Sequence, residues 1–367
     1  MTWSRPGEGA AAGSDADAPA HHRTGGSMPI SGGSTEEADP AVRAVRAVEA
    51  GHRTPDGPAG AGGARRRAAD TLLRHSPLQP AFRIRSARRL AVLAYHGVDD
   101  PASFAAQLER LTRTATPVTL DQVEQAVAEG RPLAPRSVLL TFDDGERSVL
   151  TRGLPALARH RLPAAAFVVA GHIGGDQPFW WTEAHHLVAA GGHAAALGRP
   201  AAPGAAVAAL KRLPDAERLG ALEELRATAA RPTPRTEQLT VRDLATLRDG
   251  GVAIGNHTLT HPCLDRCADG TVRTEVAEAH QLLTGWLGAA PTAFAYPNGN
   301  LDGRAETLLR DLGYRLGFLF DHRHDALLPR NPLRISRLRV NSHTTRARFD
   351  TILSGLHPAV HRLRGGH

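Results

Sequence analysis

Leu139 to Ser148 read LLTFDDGERS, an apolar run of strand length that ends on two adjacent aspartates, Asp143 and Asp144, and then a glycine. Adjacent carboxylates repel, so a chain that sets them at the end of a buried strand calls for a cation beside them. Six other runs from Leu90 onward have the same texture: LAVLAYHGV, AAAFVVAGHI, VAIGNHT, TAFAYPNG, YRLGFLF and RISRLRV. Between them lie stretches of helical period, FAAQLERLTR, GLPALARHR, LATLRDG, TEVAEAHQLLTGWLG and AETLLRDLGY. Strand alternating with helix implies parallel βαβ units, and continuous apolar runs imply strands covered on both faces. The expectation is an α/β fold, a distorted (β/α) barrel.

Four of these runs end in polar residues: Tyr95 and His96, Asp143 and Asp144, Asn256 and His257, Tyr296 and Asn298. In a (β/α) barrel the carboxyl ends of the strands form one rim, so residues distant in sequence converge there. Asp144 with His257 and His261 then offers one carboxylate and two imidazoles, a set suited to a divalent ion, Zn²⁺ above all, with a position left open for water. Asp143 stays free to act as a general base. Taken alone, DDG reads more readily as a solvated turn and HTLTH as a loop with incidental histidines; it is their joint placement at strand ends that points to a site. The pattern lacks the glutamate of HExxH, which argues against a protease of that type. His257 is expected to end its strand, and His261 to be an N-cap with Pro262 at the first helical position.

Composition sets the remaining bounds. Residues 1–64 are rich in Gly, Ala, Pro, Ser and charge and too poor in large apolar groups to offset the ordering entropy, so they are expected to be disordered. Residues 65–89 read as a basic linker helix, 90–356 as the barrel and 357–367 as a basic tail. Gly174 to Arg235 interrupts the strand and helix rhythm and reads as a helical insertion that walls a cleft; within it Trp180 and Trp181 serve either as an anchor or as a sugar platform. The net charge of +7 favours anionic partners, and the basic flanks suit peripheral contact with an anionic membrane. No zinc finger or helix-turn-helix pattern supports a specific nucleic-acid partner, although the arginines of 65–89 leave a basic nucleic-acid binder as a rival class. Two cysteines, Cys263 and Cys267, cannot staple a domain of this size, and they read as small buried residues. With no apolar leader and no membrane-length run, a cytoplasmic location is expected.

The stretches LLTFDDG, IGNHTLTH and FAYPNG resemble the first three motifs of the polysaccharide deacetylases, the NodB-homology domain of carbohydrate esterase family 4. The resemblance spans roughly 90–356. VLAYHGV is similar to the opening strand of a branch with a YH motif, and PLRISRLRVNSHTTRARFDTILSGL to its closing segment. What this implies is a metal-dependent hydrolase that removes N-acetyl groups from amino sugars. Asp143 would be the general base, Asp144, His257 and His261 the metal ligands, and the Tyr296 backbone N–H an oxyanion donor. His96 would be the general acid, with His357 in GLH its rival, and Arg337 would orient Asp143. The same site is compatible with an O-acetyl carbohydrate esterase, and the fold with a carbohydrate binder that performs no chemistry.

Overall fold

The computed structural model describes residues 61–198 and 202–363, with backbone alone for 61–66. The expectation for residues 1–64 therefore lies outside the described residues, save for its last four positions. Among the described residues nine strands form one sheet: β1 Arg89–Tyr95, β2 Thr116–Pro117, β3 Ser137–Phe142, β4 Ala164–Val168, β5 Val252–Asn256, β6 Ala293–Ala295, β7 Leu316–Phe318, β8 Asp325–Ala326 and β9 Leu338–Arg339. The order is β7-β6-β5-β4-β3-β1-β8, with β2 on β3 and β9 on β1. All pairings are parallel except β1 with β8. Ile335 bridges Phe318 of β7, while Leu338 pairs with Leu93 of β1, so residues 335–339 reach both ends of the curled sheet. This is the distorted (β/α) barrel that the alternating pattern predicts.

Because successive strand side chains point to opposite faces, each continuous apolar run feeds two cores. Leu90, Val92, Leu139, Ala165, Phe167, Ala293, Ala295 and Phe318 fill the inside of the curl. Leu93, Tyr95, Val138, Leu140, Phe142, Ala166 and Val168 pack outward under the helices, against Phe104, Leu108, Leu157 and Leu244. This pleat has a consequence for the rim. Thr141 follows Leu139 on the inner face, so Asp143 also points inward; Ala253 lies inside, Gly255 meets the inner Phe167 ring, and His257 comes next on that side. A Cβ on Gly255 would come within 2.5 Å of that ring, which is why a glycine sits there.

The described residues of the insertion include α-helices Trp180–Ala189, Pro203–Leu210 and Asp215–Thr228, around a core of its own that includes Trp180, Trp181, Leu210 and Leu222. One barrel helix, Leu120–Glu129, has no counterpart among the predicted stretches, although Thr119 and Gln122 cap it reciprocally in a pattern visible in sequence. The flanks are helical, as expected for 65–89, and both touch the barrel. Residues 65–89 form helices Ala61–Arg74 and Gln79–Ser86, and the first is tied to the barrel by Arg74 Nε, 3.1 Å from Asp350. The basic tail begins as helix Leu356–Leu363, whose Leu356 and Pro358 are buried; amphipathic spacing, not charge, decides its fate. Among the described residues, no helix is long and apolar enough to cross a membrane.

Candidate metal centre and its cleft

The paired aspartates divide their tasks through backbone geometry. Asp143 continues the β3 ladder, its N–H donating to the Tyr95 carbonyl at 2.8 Å, and its carboxylate turns inward onto Arg337. Arg337 Nη1 and Nη2 donate to the two Asp143 oxygens at 2.6 and 2.7 Å, and Nε donates to the Leu319 carbonyl at 2.7 Å. Arg337 has no exposed surface, so this is a fully buried, two-pronged ion pair. Asp144 has φ 71°, in the left-handed region, and the following Gly145 has φ 80°. This turn swings the Asp144 carboxylate away from Asp143 and toward the histidines.

His257 Nε2 and His261 Nε2 each lie 3.4 Å from Asp144 Oδ1. His257 Nδ1 donates to the Ala295 carbonyl at 2.7 Å, which leaves its Nε2 lone pair facing the aspartate. His261 also sits in the left-handed region, φ 61°, so it is not the expected N-cap; a short 3₁₀ turn starts only at Leu264. Three contacts hold that conformation. The His261 N–H donates to Thr258 Oγ1 at 3.0 Å, its carbonyl accepts from Trp180 Nε1 at 3.0 Å, and Trp181 lies 4.5 Å from its ring. Glu275 shapes the loop between the histidines by accepting from the N–H groups of Leu259 and Thr260 at 3.0 and 2.8 Å. Trp180 and Trp181 thus join the insertion to the site, a role weighed in sequence only as anchor or platform.

The chemistry of the donors fits a divalent ion. Ligand atoms of Asp144, His257 and His261 all lie within 4.8 Å of one another, and Asp144 Oδ1 and His261 Nδ1 are buried with no hydrogen-bond partner. A buried unpartnered carboxylate oxygen is costly unless a cation meets it. Burial opposes the charge on Asp144, but His257, His96 and His261 outweigh it and hold its pKa far below the carboxylate range. Burial, with His257 next to it, pushes the His261 pKa well down and keeps that imidazole a neutral donor. Burial works against charge on His257 too, yet Asp143 and Asp144 prevail and raise its pKa.

Tyr296 requires a correction. Its N–H donates to the Phe318 carbonyl at 3.0 Å as part of the sheet, so it is not open to an oxyanion as expected. Its side chain continues the outward alternation of Phe294 and packs in the outer core. His96, at the exit of β1, is half-buried and stands edge-on to Phe320 with ring centroids 5.6 Å apart. His357 is held by a chain of bonds: the Arg339 N–H donates to His322 Nδ1 at 3.0 Å, and His322 Nε2 lies 3.0 Å from His357 Nδ1. His96 and His357 both line the cleft of about 1260 Å³ that opens over Asp143, Asp144, His257 and His261. Cys263 also faces it; its sulfur accepts from Asn298 Nδ2 at 3.0 Å, and both cysteines are free thiols whose pKa burial raises. Lys211, Arg339 and Arg348 complete the wall and were not singled out from sequence, although Lys211 is the chain's one lysine.

The family model for polysaccharide deacetylase matches residues 130–197 and 225–317, which include Asp143, Asp144, His257 and His261. No curated protein matches the chain. Among solved structures, IcaB from Ammonifex degensii is similar at a TM-score of 0.51 and 19% identity, over 73% of this chain and 96% of that one. A de-N-acetylase from Aggregatibacter actinomycetemcomitans is similar at 0.50 and 15% identity, over 72% and 99%. At such identities the likeness concerns the fold, and it agrees with the curled parallel sheet described above. The family match thus identifies a polysaccharide deacetylase domain within this chain, and the curled parallel sheet agrees with it.

Proposed function

We propose that the protein is a metal-dependent hydrolase that removes N-acetyl groups from N-acetylated amino sugars. The observation that carries this reading is the split between the two aspartates. Asp144 shares a pocket with two imidazoles, while Asp143, 4.0 Å from His257 Nε2, is held apart by Arg337. A pure binding protein has no use for a second carboxylate kept so carefully out of the ligand set.

Asp144, His257 and His261 would hold the ion, with Zn²⁺ the best fit to two imidazoles and one carboxylate. When bound, such an ion supplies Lewis-acid polarisation of the acetamide carbonyl and of water. Asp143 takes the proton from the attacking water. Arg337 keeps its carboxylate aimed through two parallel hydrogen bonds. Oxygen bonds to the acetyl carbon, the C–N bond breaks, and a protonated acid delivers its proton to the departing amine.

The hydrogen bonds favour His96 for that last role over His357. A backbone N–H can only donate, so His322 Nδ1 is an acceptor and His322 Nε2 carries its proton toward His357 Nδ1. Charging His357 would set two N–H groups against each other. Burial, with His357 and His361 beside it, lowers the His322 pKa to about 2, which keeps this tautomer in place. His96 has no such constraint. The test is acetate release from N-acetylated oligosaccharides by protein reloaded with Zn²⁺, compared with chelator-treated protein and with Asp143→Asn. Metal-loaded protein that binds the sugars but frees no acetate would sink the proposal.

A further inference from the structure

The catalytic rim accounts for only part of the cleft. Lys211, Arg212, Arg266, Arg339 and Arg348 line it, whereas its carboxylates are Asp70, Asp143 and Asp144. Asp143 is already neutralised by Arg337, and Asp144 belongs to the metal ligand set. Outside the metal centre, the lining of the cleft holds more cations than carboxylates, with Arg266 paired to Asp265 at 3.6 Å. At about 1260 Å³ the cleft also exceeds the ~300–1,000 Å³ of common small-ligand pockets, so it has room for more than one sugar ring.

Two of these cations are placed with particular care. Arg339 follows Leu338 on β9 and is fixed by two bonds to the Phe320 carbonyl, from Nε at 3.0 Å and Nη2 at 2.7 Å, with its guanidinium 4.8 Å from the Phe320 ring centroid. Lys211 follows helix Pro203–Leu210 of the insertion, in the stretch 198–224 that the family match skips. In a chain that otherwise uses arginine for every basic position, its only lysine stands in the cleft. Lys211 and Arg339 line the same cleft; burial lowers the Lys211 pKa, with Cys263 and Asp144 favouring its charge and Arg339 opposing it. Like charges brought together by separate elements of a fold define a place where an anion is stabilised by both.

Resting on the hydrolase reading above, we propose that this wall is an anion subsite: the N-acetylated substrate carries a phosphate or carboxylate group, held by Lys211 and Arg339 while its acetamide lies at the metal centre. Phosphate and carboxylate share the chemistry that both side chains recognise. The other cations raise the local anion concentration without needing to touch it.

The experiment measures acetate release by Zn²⁺-loaded full-length protein from three N-acetylated substrates: a neutral chitooligosaccharide, a nucleoside-diphosphate-linked N-acetyl sugar and a uronate-containing oligosaccharide. At low salt one anionic substrate should exceed the neutral one in kcat/KM by about tenfold or more, the size of one charge-assisted hydrogen bond, and which one does so names the group. Lys211→Gln should collapse that ratio, Lys211→Arg should keep part of it, and added salt should shrink it in the wild type. Acetate release with no anionic preference, or a preference that Lys211→Gln and salt both leave intact, overturns the subsite while the hydrolase reading stands. Release from no substrate sinks the hydrolase reading; calorimetric binding of the anionic sugars to wild type and Lys211→Gln then decides the subsite separately, and equal affinities overturn it. Should Lys211→Gln fail to fold, the wild-type salt series decides between the same outcomes.

Discussion

The two sides of the cleft are built by different rules. On the strand-end side the sheet pleat fixes every direction: Asp143 and His257 point inward because Leu139 and Ala253 do, and Arg337 reaches them from the segment that spans both ends of the sheet. On the other side, Lys211 comes from the insertion, while Arg348 and His357 come from the last two helices. The first side tolerates little, since its polar atoms are paired or aimed at one point. The second is assembled from segments more than a hundred residues apart and can be altered piece by piece. Substitutions on the strand-end side should therefore strike turnover or folding itself, and those on the helical side selectivity.

The largest effects are expected where the proposed base, Asp143, and Arg337 meet. Asp143→Asn should lower kcat by about 10²–10⁴ with sugar binding retained, as removal of a general base does. Arg337→Met should instead cost stability, about 3–5 kcal/mol, because it leaves a buried carboxylate unpaired. Denaturant unfolding measures the latter, and Asp143→Asn combined with Arg337→Met should recover part of the loss. If Arg337→Met alone costs under about 1 kcal/mol, the pair is not what holds the rim together.

Next in size is His96. A sugar amine is a poor leaving group and needs a proton, whereas an alkoxide from an O-acetyl ester needs less help. His96→Gln should then slow amide cleavage by about 10² and ester cleavage far less. His357→Gln, on the helical side, should affect both weakly. Equal losses on amide and ester would remove the acid role from His96.

This division also explains what could be read in advance. Strand-end residues sit next to apolar runs whose period announces them, so Asp143, Asp144, His257 and His261 were legible, and so was Arg337 through resemblance. Three things were not. The Tyr296 N–H is spent on Phe318, a pairing set by the register of β6 against β7, which spacing cannot reveal. The left-handed turn at His261 depends on Thr258 and on Trp180 from a distant insertion, and the neighbouring Pro262 pointed to a helix start instead. The flanking helices read as solvated charge, and Leu72, Ile84 and Leu363 are exposed; the contacts that spacing does not show are the Arg74–Asp350 ion pair and the burial of Leu356 and Pro358.

The smallest expected effect tests the histidine chain on the helical side, by slope rather than by size. His322 is buried and its pKa is lowered to about 2 by burial and by His357, His361, Arg339 and Arg348, from an ordinary 6.5. Its contribution to stability is therefore complete above pH 6.5 and declines as pH falls from there, because the unfolded chain takes up a proton that the native ring refuses; the slope approaches about 1.4 kcal/mol per pH unit. His257 has the opposite sign: its pKa is raised, so in metal-free protein its contribution is complete at and below 6.5 and fades as pH climbs above it. The two windows meet at the ordinary histidine value and do not overlap, so unfolding followed from pH 8 to 5 separates them. His322→Asn keeps an oxygen that can accept from the Arg339 N–H but does not titrate, and it should flatten only the limb below 6.5. A limb that stays as steep would mean that His322 is already free to charge in the folded protein, and the tautomer argument that sets His357 aside as the acid would fall with it.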